Sequence, residues 1–210
     1  MQFDGQTIIK QPNIVKGILS NILKINKNII YARSCIIKNI TKEQYREFCC
    51  NHHYQGYSYA EFYYGLFYKD EFIQCISFSK PRYNSKYEYE LIRLCTKIDY
   101  SVVGGASKLF KHFIETKSPT NIISYCDRML FSGKIYDTLG FKHSYDTDIG
   151  YYYVINNKLE NRLKYQKHKL SKLENFVFDP SLTEEQNMAN NGYYRYYDCG
   201  QGVYVWTNKN

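Results

Sequence analysis

No stretch of this chain approaches the roughly 18 consecutive apolar residues of a membrane-spanning helix. The opening MQFDG has neither the basic start nor the apolar run of a secretory leader. These absences lead to the expectation of a soluble, intracellular protein with no membrane partner. The seven cysteines show no C-x-x-C spacing and are odd in number, so no disulfide framework is expected. Cys35, Cys75, Cys95 and Cys126 fall inside apolar stretches and read as reduced core thiols. The vicinal Cys49 and Cys50 read as one buried and one exposed neighbour on a helix, with a redox or metal device as the other reading. No internal repeat or clear linker interrupts the 210 residues, enough for one domain with a real core. From Gly5 to Lys42 a carboxylate is missing altogether, although seven Lys or Arg residues stand there.

Basic residues are present in excess, giving a formal charge of +8. A second basic stretch, NNKLENRLKYQKHKLSKLE at 156–174, sets six Lys or Arg against two Glu. With 24 tyrosines to supply stacking surfaces, this pattern fits a polyanion such as duplex DNA, gripped by Arg162, Lys164, Lys167 and Lys169. It fits equally a compositional drift towards Lys, Asn, Ile and Tyr from an AT-rich genome.

Periodicity supplies the elements. Pro12 can open a helix whose Ile14, Val15, Ile18, Leu19, Ile22 and Leu23 recur at helical spacing. IYARSCIIKNI (30–40) reads as a strand, and Thr41 with Gln44 forms a capping box ahead of the next helix. Two apolar runs over 61–81, split at Lys69 and Asp70, predict a hairpin, and 87–98 a third strand. After Gly104 and Gly105, the positions Ala106, Leu109, Phe110, Phe113 and Ile114 predict a one-sided helix. Residues 121–126 read as a buried strand, 132–141 as a short helix stopped by Gly140, and 151–156 as another strand. A basic helix with Leu159, Leu163, Leu170 and Leu173 on one face should follow, then a hairpin in GYYRYYDCGQGVYVW; FVFDPSLTEEQN (176–187) is less regular. The expected division is a basic N-terminal extension over 1–29, a core over 30–156, and a basic helix plus hairpin over 157–210.

The glycine pair in YSVVGGASKLFKHFI leaves two readings open. It can present bare amides at a helix N-terminus to a phosphate, or serve as a tight turn. Lys108 adds charge to the first reading and is a solvated helix residue in the second.

The element order, with Ser101-Val-Val-Gly104-Gly105-Ala106 and Tyr136-Asp-Thr-Leu-Gly140-Phe141, resembles the GNAT superfamily of acyl-CoA-dependent N-acyltransferases. Ser101 departs from the Arg or Gln usual there. The resemblance implies an α/β (α+β) fold, a mixed central sheet flanked by helices. It also implies acetyl-CoA or a related acyl-CoA as cofactor, with the pyrophosphate on the amides of Val103, Gly104, Gly105, Ala106, Ser107 and Lys108. Tyr136 would then be the acid that protonates the departing thiolate.

YEYELIRLCTKIDYSVVGGASKLF, SYCDRMLFSGKIYDTLGFKHS and CCNHHYQGY further resemble Mom-type phage DNA-modification proteins. They also resemble a GNAT-like domain that follows nuclease domains in phage homing-endonuclease-like proteins. This implies modification of adenine N6 in DNA, in the host cytoplasm, with Glu90, Arg93, Ser107, Asp127 and Tyr136 at the site. His53 and Tyr54 would meet Asp127 there as base, substrate grip or metal ligands, or else the His pair merely ends a helix. Arg93, inside an apolar strand, needs a partner, and Glu90 or Asp127 is expected to be it. The aromatic HHYQGYSYAEFYY can grip a flipped base or be a packed strand edge. Two rival functions are a silent nucleic-acid-binding module and an ordinary N-acetyltransferase of a protein or small amine.

Overall fold

The computed structural model describes Met1 and residues 3–208. Two N-terminal helices come first, α1 (Gly5–Lys10) and α2 (Pro12–Ile22), the latter with proline in its first turn where no amide is needed. The chain continues as β1 (Asn28–Tyr31), β2 (Ile36–Asn39), α3 (Lys42–His52), β3 (Phe62–Tyr68), β4 (Glu71–Ser79) and β5 (Tyr89–Thr96). β6 (Tyr100–Val103), α4 (Gly105–Lys117), β7 (Asn121–Asp127), α5 (Lys134–Thr138) and β8 (Lys142–Asp146) follow. An inserted segment carries β9 (Tyr151–Ile155), β10 (Lys158–Asn161), α6 (Lys167–Leu170), α7 (Glu184–Asn190) and β11 (Tyr194–Tyr197), before β12 (Gln201–Thr207).

Seven strands form the central sheet in the order β2-β3-β4-β5-β7-β12-β8, antiparallel except between β5 and β7. This is the mixed sheet flanked by helices expected from the sequence. On one face α4 buries Ala106, Leu109, Phe110 and Phe113, the last stacked on Phe78 at 3.6 Å. On the other, α3 buries Tyr45, Phe48 and Cys49 against Cys75, Ile92 and Cys95. Both glycine-free turn residues between β3 and β4, Lys69 and Asp70, take positive φ, as a tight two-residue hairpin requires. The Thr41–Gln44 capping box closes as read from the sequence. Cys35, Cys49, Cys75, Cys95 and Cys126 are buried free thiols and Cys50 is exposed. Among the described residues no helix is long and apolar enough to cross a membrane.

Three expectations are corrected. The strand over 30–40 is broken at Ala32–Ser34, because its halves serve different partners: β1 lies parallel to β6 and β2 pairs with β3. Lys108 Nζ donates to the carbonyls of Ala32 and Cys35, at 2.9 and 2.6 Å, and holds the break in place. The basic helix does not form. Asn156 and Asn157, both at positive φ, turn the chain back as the β9–β10 hairpin, leaving a single 3-10 turn at Arg162–Lys164 and one α-helical turn at Lys167–Leu170. The tail is not a hairpin either: β11 joins β9 in a separate three-stranded sheet, while β12 enters the central sheet. Residues 201–207 therefore lie beside the core strands across the expected boundary at 156. The α2 helix forms as read, with Ile14 and Val15 of its apolar stripe buried and Leu19, Ile22 and Leu23 exposed.

Candidate active site

β5 and β7 run parallel but pair only at Tyr89–Ile122 and Glu90–Ile123. Beyond these residues β5 stays bonded to β4 and β7 to β12, so the facing edges diverge without backbone–backbone bonds, and the Leu91, Ile92 and Tyr125 carbonyls take side-chain donors from Ser124, Arg93 and Tyr136. The gap is a cavity of about 350 Å³ walled by residues 91–96 and 125–127, with His53 and Tyr54, residues 133–136, and α2 closing its sides.

The β4–β5 ladder sets Phe78 opposite Leu91 and Ser77 opposite Arg93, making Ile92 an extra residue. Such a bulge re-aims the side chains around it. Arg93 is thereby turned to the α3 side of the sheet, where Nε donates to the Gly56 carbonyl at 3.2 Å and Nη1 to that of Ile92 at 3.0 Å. The expected carboxylate partner is absent: no acid among the described residues lies within ion-pair distance of Arg93. Glu90 belongs to a different contact outside the cavity. Buried to 1% exposure, it accepts from the Arg82 amide at 2.9 Å, Nε at 3.0 Å and Nη2 at 2.5 Å, because the loop after β4 passes over the start of β5.

Tyr54 and Asp127 do come together. The Tyr54 hydroxyl donates to Asp127 Oδ2 at 2.6 Å, and the Met129 amide to Oδ1 at 2.9 Å. Burial, then the Asp127 bond, pushes the Tyr54 pKa far up. His53 leaves the end of α3 and lines the same cavity. Burial, reinforced by the Arg93 charge, holds its pKa down at about 3, so the ring is neutral. The Gln55 amide donates to His53 Nδ1 at 3.1 Å, which places the single ring proton on Nε2. His53 thus carries a donor at Nε2.

Tyr136, on α5, donates from Oη to the Tyr125 carbonyl at 3.2 Å and lies 3.0 Å from Ser124 Oγ, whose one proton is shared between Tyr136 and the Leu91 carbonyl. Burial raises its pKa, so it keeps its proton. Its ring stacks on Tyr204 of β12 at 4.5 Å. Gly133 precedes α5 at φ +78, and a Cβ there would lie 1.9 Å from Tyr204 Oη. Ser124, Gly133 and Tyr204 were not singled out in the sequence; the only signal was a second glycine before a short helix, seven residues ahead of Gly140.

At the glycine pair, Gly104 takes φ +75 and caps α4, and Lys108 N closes the first turn on its carbonyl at 3.0 Å. The amides of Gly105, Ala106 and Ser107 have no acceptor among the described residues. Val103 is paired to Tyr31 in the β1–β6 ladder, and Lys108 Nζ is spent on Ala32 and Cys35. Gly105 is also a packing residue, since a Cβ there would meet Gln74 Oε1 at 2.1 Å. The turn reading holds at Gly104, and Gly105 answers a packing demand from Gln74.

The basic residues of the insertion are drawn into local bonds. Lys164 pairs with Glu160 at 2.7 Å, Lys167 and Lys169 donate to the carbonyls of Pro180 and Leu163, and Arg162 lies over Tyr151. Among the described residues no three His, Cys, Asp or Glu side chains converge to hold a metal ion.

No family model matches the sequence, and no curated protein does. Several solved structures are similar. An acetyltransferase from Bacillus subtilis in complex with CoA is 11% identical, over 83% of this chain and 97% of that one, with a TM-score of 0.45. An IAA acetyltransferase from Bacillus cereus is 13% identical, over 83% and 100%, with a TM-score of 0.47. A GNAT family acetyltransferase from Elizabethkingia anophelis with acetyl-CoA bound is 12% identical, over 83% and 99%, with a TM-score of 0.42.

Proposed function

We propose that the chain is an acyl-CoA-dependent N-acyltransferase of an amine. The observation that carries this reading is the divergence of β5 from β7, with three unpaired amides at the start of α4, which meets β5 through Gln74: that side chain lies against Gly105 and donates to Thr96. Backbone groups on the two open edges suit an extended, amide-bearing arm, and the amides of Gly105, Ala106 and Ser107 suit a pyrophosphate. A bound acyl-CoA supplies an activated acyl group as its thioester. Tyr136, neutral because it is buried, holds a proton at Oη for a departing thiolate, once released from the Tyr125 carbonyl. Asp127, fixed by Tyr54 and Met129, accepts an N–H of the acceptor and orients its lone pair. Calorimetric titration with CoA, followed by thiol release from acetyl-CoA in the presence of an amine panel, tests the reading. Absence of CoA binding at millimolar ligand would end it.

A second reading takes the acceptor as a nucleic-acid base, in the manner of Mom-type proteins. Tyr152 and Tyr194 favour it, being exposed on one face of the β9–β11 pair in a chain of charge +8. Its affinity for duplex DNA should then fall by about 0.9 log units per log unit of salt for each phosphate neutralised. No binding at low salt excludes it.

A further inference from the structure

We infer that the acceptor amine carries a carboxylate, which the wall of the cleft receives on Arg93 and His53, in the cavity that Asp127 also lines. The inference rests on the acyl-transfer reading for the word acceptor, but the anion site itself stands on separate observations.

Arg93 is the first. A guanidinium in a cleft wall is costly without a counter-charge, and here the neighbouring acids are committed elsewhere. Glu90 is held by Arg82, and Asp127 by Tyr54 and the Met129 amide. Two backbone carbonyls, of Gly56 and Ile92, fix the plane of the guanidinium through Nε and Nη1. They leave Nη2 without a protein acceptor among the described residues, on a side chain that lines the cavity. The bulge at Ile92 is what puts it there; in an unbroken ladder Arg93 would alternate to the other face.

His53 is the second. Its tautomer, set by the Gln55 amide, leaves Nε2–H as a neutral donor on a ring that lines the same cavity. Arg93 and His53 line this cavity together with Tyr54, Asp127 and Tyr136, the groups that would surround a reacting amine. One positive charge with one neutral donor matches a singly charged oxyanion. A phosphate dianion would need more donors and would bring its second charge into the cavity that Asp127 also lines. With an acceptor of N–H groups at Asp127 and a receptor for carboxylate at Arg93, a cavity of about 350 Å³ suits a small amino-acid-like molecule. A nucleobase edge carries no such negative group.

The test uses three product-like probes that share one skeleton: N-acetylglycine, its neutral amide N-acetylglycinamide, and N-acetyl-aminomethylphosphonate. Each is titrated into the full chain while the His53 ring signals are followed by NMR, with His53→Asn assigning them. N-acetylglycine is expected to bind about 10-fold or more tightly than the amide, the scale of one hydrogen bond to a charged group. Arg93→Gln should erase that preference and Arg93→Lys restore part of it. Equal binding of acid and amide, or no binding of either, overturns the inference, as does a preference that survives Arg93→Gln. Tighter binding of the phosphonate than of the carboxylate overturns the choice of carboxylate. If Arg93→Gln fails to fold, the wild-type comparison of acid with amide still decides. A parallel CoA titration separates the two readings. Acid preference without CoA binding ends the transferase reading and keeps the anion site, while CoA binding without acid preference does the reverse.

Discussion

Replacing Gly133 by alanine puts a methyl group where the structure has no room and no compatible backbone. The residue sits at φ +78, and the new Cβ would lie 1.9 Å from Tyr204 Oη and 2.5 Å from its Cζ. Tyr204 is 8% exposed and stacked on Tyr136, so its ring cannot swing clear. Left-handed backbone costs an alanine about 1–2 kcal/mol, and overpacking a buried ring adds about 1–3 kcal/mol. Gly140, just past the other end of α5, supplies the control. It takes φ +83, but its Cβ would meet only Trp206 at 3.7 Å, an ordinary contact. Guanidinium unfolding should therefore show Gly140→Ala losing about 1–2 kcal/mol and Gly133→Ala about 2–5 kcal/mol. The excess belongs to the Tyr204 ring, and near-ultraviolet circular dichroism should report a disturbed tyrosine stack in Gly133→Ala alone. Equal losses in the two variants would refute the steric argument and leave only backbone strain at both sites.

Tyr136→Phe should retain CoA affinity and lose turnover by about 10²-fold or more if Oη is the proton donor; unchanged turnover reduces Tyr136 to packing. Arg82→Ala strands the Glu90 carboxylate at 1% exposure and should cost about 2–4 kcal/mol in chemical denaturation. The cost stays below that of a fully buried pair because Arg82 itself is 42% exposed. His53 is held neutral with its pKa lowered from 6.5 to about 3, so the unfolded chain binds the proton more readily than the fold does. Its contribution is present above pH 6.5 and is lost as pH falls towards 3, with a slope approaching about 1.4 kcal/mol per pH unit. His53→Asn should flatten stability across that window, and an unchanged acid limb would contradict the burial of the ring.

Local chemistry made part of this molecule legible. The Thr41–Gln44 box, the Lys69–Asp70 turn and the one-sided spacing of Leu109, Phe110 and Phe113 each specify structure within a few residues. A second box, Thr183 with Gln186, caps α7 but lies in a stretch with little apolar content to point to it. What resisted reading depends on distant partners. A β-rich run such as IYARSC gives no hint that its halves will pair with different strands. β8 is exposed along its whole length and has no alternation to detect. At the site, the meeting of Tyr54 with Asp127 was foreseen through the family resemblance, whereas the partnering of Glu90 by Arg82 depends on a loop path no periodicity encodes. The bulge at Ile92 is similarly invisible, since both Leu91 and Ile92 look like ordinary strand residues.

β12 fills the slot between β7 and β8, with Gln201 opposite Asp127 on one side and Val205 opposite Lys142 on the other. During translation, β7 and β8 emerge long before the strand that joins them. Until residues 201–207 leave the ribosome, the outer edge of β7 is an unsatisfied ladder beside Tyr136, whose stacking partner Tyr204 has not yet been made. Contacts so far apart in sequence form slowly, and a waiting strand edge is what other nascent copies can pair with. The whole insertion must therefore be synthesised before the cleft acquires its last wall, so the nascent polypeptide cannot assemble its candidate site ahead of that strand.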